Sequence, residues 1–206
     1  VPLDLDDLAA LLAQVADAGV DVVLHAAAMS SMQACAADPV AAMRRNGAAA
    51  AALARGGAWL VFVSTDLVFG GDRAPYRAVD PADPRSDYGR SKALGEVHTR
   101  AAGGLVVRLP LLFGPSFDGC RGATDMLRAR AVSGRPLPLF RNEFRTPLHV
   151  ADAAATLAGI ASGPRRAGSL HVSGPERISR LAFAERFLAQ HPLPGLRFTA
   201  VDCDDP

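Results

Sequence analysis

Three short apolar runs, DVVLHAAA at 21–28, AWLVFVST at 58–65 and GLVVRLP at 104–110, carry no polar alternation. Such runs are the mark of parallel strands covered on both faces. Between them the apolar positions recur at helical spacing. Asp6 or Asp7 can cap a helix carrying Leu8, Leu11, Leu12 and Val15 on one face and ending near Gly19. Asp38 followed by Pro39 opens a long alanine-rich helix that stops at Gly56-Gly57, and a third helix is expected over 86–102. Strand, helix, strand, helix, strand is the order of a doubly wound parallel sheet. VPLDLDDLAALL at the start reads as the tail of a strand entering a helix without an initiating Met, so the chain is expected to begin inside a fold.

Beyond Gly114 the elements shorten. A helix is expected near 123–132, a strand in PLPLF (136–140), a helix at 150–161 after TPLHV, one more strand in GSLHVSG (168–174), and a last helix at 180–190 capped by Ser179. The expected division is 1–114 as a partial Rossmann-like dinucleotide-binding domain and 115–206 as a smaller α/β substrate-binding region interleaved with the end of the sheet.

Composition narrows the chemistry. Half of the 206 residues are hydrophobic and the formal net charge is +1, so a core can form and no basic excess awaits nucleic acid. Cys35, Cys120 and Cys203 show neither CxxC spacing nor an even count, which argues against a disulfide framework and a zinc site and for a reducing, cytoplasmic setting. No apolar run approaches the roughly 20 residues of a membrane span.

In a doubly wound sheet, ligands bind at the carboxyl ends of the strands. One helix beside those ends carries SDYGRSKALGE at 86–96, and Lys92 is the only lysine among the 22 Lys and Arg residues. Tyr88 and Lys92, four apart on a helix, share a face. An ammonium about 4 Å from a phenol, at an effective dielectric near 20, favours the phenolate by about 4 kcal/mol. That would lower an ordinary tyrosine pKa of about 10 by about 3 units, making a proton donor. In VFVSTD, Ser64 and Thr65 supply hydroxyls that can hold a carbonyl oxygen, with Thr65 favoured; ordinary turn capping is the rival role. Arginine forks suit phosphate oxygens, and Arg121, Arg141 and Arg145 lie in the second half of the chain. His25, His149 and His171 read as packing residues.

HAAA at 25–28, Asn46, STDLVFGG at 64–71, YGRSKALGE at 88–96, RLPLLFGP at 108–115, FRTPLHVADAA at 144–154 and GSLHVSGPERISR at 168–180 together resemble the extended short-chain dehydrogenase/reductases. The branch they are most similar to is the dTDP-4-dehydrorhamnose reductases. The resemblance implies a Rossmann-like fold, NADP or NAD as cofactor, and reduction of a keto group on a nucleotide sugar. It implies Tyr88 as proton donor, Lys92 on the nicotinamide ribose, Thr65 or Ser64 on the reacting oxygen, and Asp66 and Arg145 against the substrate. It further implies Asp4 and Leu5 near adenine, Ala26 and Ala27 lining the cofactor, Asn46 as a structural residue, and Leu109 and Pro110 behind the nicotinamide. A homodimer through helices 39–55 and 86–102 is implied by the superfamily. The glycine-rich turn for pyrophosphate is absent, so the sequence reads as N-terminally incomplete and the choice between NAD and NADP is not readable. Dehydratases of the superfamily carry two acids after the threonine; here Leu67 follows Asp66. RLPLLFG replaces a segment that in rhamnose-pathway reductases holds a tryptophan, and it resembles instead the regulatory β subunit of methionine adenosyltransferase. A non-catalytic dinucleotide-binding subunit and a nucleotide-sugar epimerase are the alternatives.

Overall fold

The computed structural model describes residues 4–203. The strand tail expected over residues 1–3 lies outside them. The chain divides into two compact units: one runs to Leu109 and resumes over Thr156–Val172, the other holds Pro110–Ala155 and the chain from Ser173 onward.

The first unit is an α/β layer structure. Its parallel sheet has the order β1-β2-β3-β8, formed by Val22–His25, Trp59–Thr65, Leu105–Leu109 and Gly168–His171. Thr65 stands level with Leu109 in the register, so β2 and β3 end together. Helix α1 (Leu8–Ala18) precedes β1, and the long helical stretch Pro39–Ala54 separates β1 from β2. Leu11, Ala49, Ala50, Leu53, Leu60, Phe62 and Val106 form the core, with Leu5, Leu8, Val15 and Val23 packed on it. Trp59 is buried at the start of β2, and its indole N–H donates to the Arg166 carbonyl at 3.0 Å.

Several elements depart from the pattern expected. The first strand covers four residues instead of eight, and Leu24 is 39% exposed; among the described residues β1 pairs on one side only, with β2. A short helix, α2 (Met32–Ala37), precedes Asp38, and the helix after Pro39 is not uniform: Pro39–Ala42 (α3) passes through a π-helical turn, Met43–Ala48, into Ala49–Ala54 (α4).

Helix α5 (Asp87–Ala101) reverses the usual amphipathic rule. Its buried residues are Gly89, Ser91, Lys92, Gly95, Glu96 and Thr99, while Leu94 and Val97 are 36% and 53% exposed. Small residues permit this approach: a Cβ on Gly95 would stand 2.7 Å from the Asn46 carbonyl oxygen and 2.5 Å from Phe62 Cζ. Buried polar groups on this face must find partners, and Ser91, Glu96 and Thr99 do, whereas Lys92, among the described residues, meets only the Phe62 ring. Asn46 donates to Ser91 Oγ at 2.9 Å, and Thr99 donates to the Gly95 carbonyl.

In the second unit, α6 (Ala123–Ser133) and α8 (Arg180–Gln190) pack through Leu127 and Ala184 onto β5 (Leu137–Phe140). A strand not anticipated, β10 (Phe198–Val201), pairs in parallel with β5. The ribbons β4 (Leu112–Phe113) with β7 (Leu148–His149), and β6 (Phe144–Arg145) with β9 (Ile178–Ser179), complete it. Helix α7 is Val150–Ser162. Among the described residues, no helix is long and apolar enough to cross a membrane.

Candidate active site

Strand β2 ends in Ser64 and Thr65, both buried, and a single 3-10 turn, Asp66–Val68, follows. Thr65 Oγ1 caps that turn, accepting from the Leu67 amide at 3.2 Å, and donates to Asp66 Oδ1 at 3.2 Å. The start of α5 presses against this turn, since a Cβ on Gly89 would run into the Leu67 carbonyl oxygen. Glycine after Tyr88 is therefore what allows the tyrosine helix to approach the end of β2. Ser86 caps α5 by accepting from the Gly89 amide at 3.1 Å.

Tyr88 is half-buried. One turn later, Lys92 is 2% exposed, and its Nζ lies 4.0 Å from the centroid of the Phe62 ring. Burial presses its pKa down to about 7, against the opposing pull of Glu96. The ring of His25 stands 5.6 Å from the same phenylalanine. Burial, then the charge of Lys92, lowers its pKa to about 4, and among the described residues its Nε2 is a buried atom with no hydrogen-bond partner.

Ser64 is not available to a substrate oxygen. Its hydroxyl donates to Glu96 Oε1 at 2.7 Å, inside a buried network: Arg108 Nε and Nη2 donate to the two oxygens of Glu96 at 2.8 and 2.7 Å, and Arg100 adds a third donor at 2.9 Å. Burial alone would raise the pKa of Glu96, but the hydrogen bonds from Arg108 and Ser64 hold it below the ordinary range. Arg108 also donates to the Ala78 carbonyl at 3.1 Å and lies 4.7 Å from the centroid of the Phe69 ring, which stacks on Tyr76. The loop 70–85 is thus tied to β3 by one arginine. That arginine was legible as an anomaly, a charge inside an apolar strand, but its partner Glu96 was not.

The remaining expected residues separate into two groups. Ala26 and Ala27, just past β1, are exposed. The loop beyond them is clasped by Asn46, whose Oδ1 accepts from the Met29 amide at 2.8 Å and whose Nδ2 donates to the Met29 carbonyl at 3.0 Å. Asp4 is exposed and accepts from the Asp6 amide. Leu5, in contrast, packs against the core, while Leu109 and Pro110 are buried. In the second unit, Arg121 pairs with Asp118 and Arg141 with Asp202 at the surface, whereas the Arg145 side chain is only 12% exposed and its Nη1 lies 3.4 Å from Glu143 Oε1. A cavity of about 530 Å³ in that unit is walled by Phe113, Ile178, Phe183 and Phe187, and none of the expected site residues lines it. Among the described residues, no group of three or more His, Cys, Asp or Glu could hold a metal ion.

Both buried bases favour their neutral forms, so between the folded and unfolded pKa values the unfolded chain binds more protons and stability rises with pH. For His25 that window runs from about 4 to the ordinary 6.5; for Lys92 it runs from about 7 to 10.5. The thermal midpoint of the protein is expected to climb through each window. His25→Phe should flatten the first climb and Lys92→Met the second, as a series of melts at stepped pH would record.

A family model described as RmlD substrate binding domain matches residues 1–205. The chain is 34% identical over 203 residues to a dTDP-4-dehydrorhamnose reductase of Burkholderia thailandensis, covering 91% of this chain and 67% of that protein. It is 31% identical over 174 residues to the methionine adenosyltransferase 2 subunit beta of Bos taurus, covering 79% of this chain and 52% of that protein. The chain thus spans about two thirds of the one relative and about half of the other. A crystal structure of a hypothetical dTDP-4-dehydrorhamnose reductase from Sulfolobus tokodaii superposes with a TM-score of 0.83 at 28% identity, over 98% of this chain and 72% of that one. A dTDP-4-dehydrorhamnose reductase from Bacillus anthracis in complex with NADP shares the fold with a TM-score of 0.86 at 22% identity, over 98% of this chain and 73% of that one.

Proposed function

The chain belongs to the RmlD substrate binding domain family, and on that premise we propose that the full-length protein is an NAD(P)-dependent reductase of a keto group on a nucleotide sugar. The observation that carries this reading is the burial of the chain's only lysine one turn after a half-buried tyrosine, on a helix whose first turn presses against the turn that follows β2. A buried ammonium costs stability, and such perturbed groups concentrate at functional sites.

The residues suit a dinucleotide. Ala26 and Ala27 leave the backbone at the end of β1 open to solvent, and the Nε2 of His25 is a buried group whose hydrogen-bonding capacity is unused among the described residues. NADP or NAD, when bound, supplies the hydride. Lys92 would hold ribose hydroxyls through its three ammonium donors and bias Tyr88 toward phenolate. Tyr88 would give its phenolic proton to the alkoxide oxygen formed from the substrate ketone. Thr65, by turning its hydroxyl from Asp66, would hold that oxygen beforehand. Because Lys92 has a pKa of about 7, its charge is fully present only below neutrality unless an anion sits beside it, so turnover is expected to decline as pH rises through that value.

Asp66 and Arg145 remain the proposed substrate contacts. A homodimer stays part of the proposal, supported by the outward-facing Leu94 and Val97 of α5. The test is direct: full-length protein with NADPH or NADH and a 4-keto nucleotide sugar should oxidise the nicotinamide, followed by its absorbance. Binding of the dinucleotide without turnover, together with copurification of another enzyme, would establish instead the regulatory reading that the methionine adenosyltransferase relative favours.

A further inference from the structure

Two contacts pin helix α5 to the end of β2, and together they straddle Thr65 and Lys92. At the first, Gly89 lies so close to the Leu67 carbonyl that no side chain would fit between them. At the second, the Ser64 hydroxyl donates to Glu96 Oε1 at 2.7 Å. Gly89 and Glu96 are two helical turns apart, about 10 Å along the axis. On the strand side, Ser64 and Leu67 flank Thr65; on the helix side, Gly89 and Glu96 flank Lys92, and Tyr88 adjoins Gly89. A helix held at one point can pivot, whereas one held at two points along its axis has a fixed angle.

Glu96 is a fixed post for the second contact. It is fully buried, Arg108 donates to both of its oxygens at 2.8 and 2.7 Å, and Arg100 adds a donor at 2.9 Å. Arg108 stands directly opposite Ser64 in the register of β2 and β3, so both side chains leave the sheet on the same face, toward α5. The carboxylate has its donors without Ser64. The serine hydroxyl therefore exceeds what burial of the charge requires, and an apolar side chain in its place, 4% exposed, would leave no group of Glu96 unpaired. What the hydroxyl adds is direction, because a hydrogen bond from O–H to a carboxylate is short and strong and ties the backbone beside Thr65 to the helix of Tyr88.

We propose that Ser64 is a positioning residue, which through Glu96 closes a two-point bracket holding the Thr65 hydroxyl in line with Tyr88 and Lys92; this rests on the reductase reading above. A hydroxyl and a proton donor that must meet one oxygen tolerate little slack, since misplacement by about 1 Å costs about 100-fold in rate. Without the Ser64 hydroxyl, α5 stays attached to β3 through Arg108, but of its two contacts with the end of β2 the one at Leu67 alone remains. Thr65 and Tyr88 are then free to drift apart while the fold persists.

Ser64→Ala, Ser64→Thr and Ser64→Val in the full-length protein test the bracket. With NADPH and a 4-keto nucleotide sugar, Ser64→Ala should lose about 10- to 100-fold in kcat, while its NADPH affinity, read by fluorescence titration, stays within about twofold. Thr and Val differ by a hydroxyl for a methyl, so Ser64→Thr should recover most of the rate and Ser64→Val should not. Ser64→Ala, which adds no atom to the core, carries the comparison if the larger pair does not fold. Slowed proton transfer should also raise the solvent deuterium isotope effect on kcat, which a merely structural serine would leave unchanged well below the melting temperature. Amide hydrogen exchange of the unliganded proteins supplies a readout apart from turnover: protection over 64–68 and 88–92 should fall about tenfold in Ser64→Ala, as expected for loss of one hydrogen bond to a charged group, with the rest of the sheet unchanged. A Ser64→Ala rate within about twofold of the unaltered protein, equal rates for Ser64→Thr and Ser64→Val, or exchange that rises uniformly overturns the bracket and leaves the reductase reading standing. Local loss of protection in Ser64→Ala, in a protein whose unaltered form turns over no keto sugar, sinks the reductase reading and keeps the bracket.

Discussion

Tyr88→Phe in the full-length protein is expected to lower nicotinamide turnover by about 100- to 10,000-fold, the usual contribution of a positioned general acid, while leaving dinucleotide affinity within about twofold of the unaltered value, well under the roughly 1.4 kcal/mol that makes a factor of ten. The substitution removes one hydroxyl and keeps the ring, so the packing of the first turn of α5 against the Leu67 carbonyl, which depends on Gly89, is preserved. Loss of rate with intact cofactor binding separates proton donation from a general loosening of the site. Steady-state turnover measured beside fluorescence titration with NADPH makes the comparison, and a Tyr88→Phe protein as fast as its parent would leave the mechanism without its acid.

Arg108→Met is expected to destabilise the protein by about 3–5 kcal/mol, the cost of stripping one partner from a buried ion pair. Glu96 is fully buried and receives two of its hydrogen bonds from Arg108, so the carboxylate would be left with Ser64 and the partly exposed Arg100. Adding Glu96→Gln should return part of the loss, because a neutral amide is less costly to bury unpaired than a carboxylate. Urea unfolding of the single and double variants measures the coupling. The pH dependence has a definite sign. Glu96 is held below its ordinary value of 4.5, so its contribution is present above that pH and is lost as pH falls through the depressed value. A single Arg108→Met variant as stable as the unaltered protein would mean that the network contributes nothing net.

The sheet was readable because β2 and β3 are largely apolar runs, interrupted in β3 by Arg108 alone, and all five residues of β3 are buried. The limits of β1 were less so: HAAA extends the apolar run past His25, but small alanines carry no signal for where pairing stops. β10 escaped because Phe198, Thr199 and Ala200 are all exposed and a four-residue outer strand shows little pattern. Helix α5 is the instructive case. Its position followed from the Ser86 cap, but its orientation could not be found from hydrophobicity, since it buries Ser91, Lys92 and Glu96 and turns Leu94 and Val97 outward. Distant partners decide that orientation: Asn46 for Ser91, and Arg108 with Ser64 for Glu96. The same long-range pairing explains why Ser64 and Thr65, adjacent in sequence and equal as hydroxyls, are different in the fold.

Trp59 is the chain's one tryptophan, and it is locked in the first unit between β2 and the segment leading to β8. Indole emission therefore witnesses the melting of that unit. An offset between the emission trace and amide circular dichroism, which sums over the whole chain, would time the loss of the second unit's strands and helices apart from the loss of the Tyr88 helix, with no label attached.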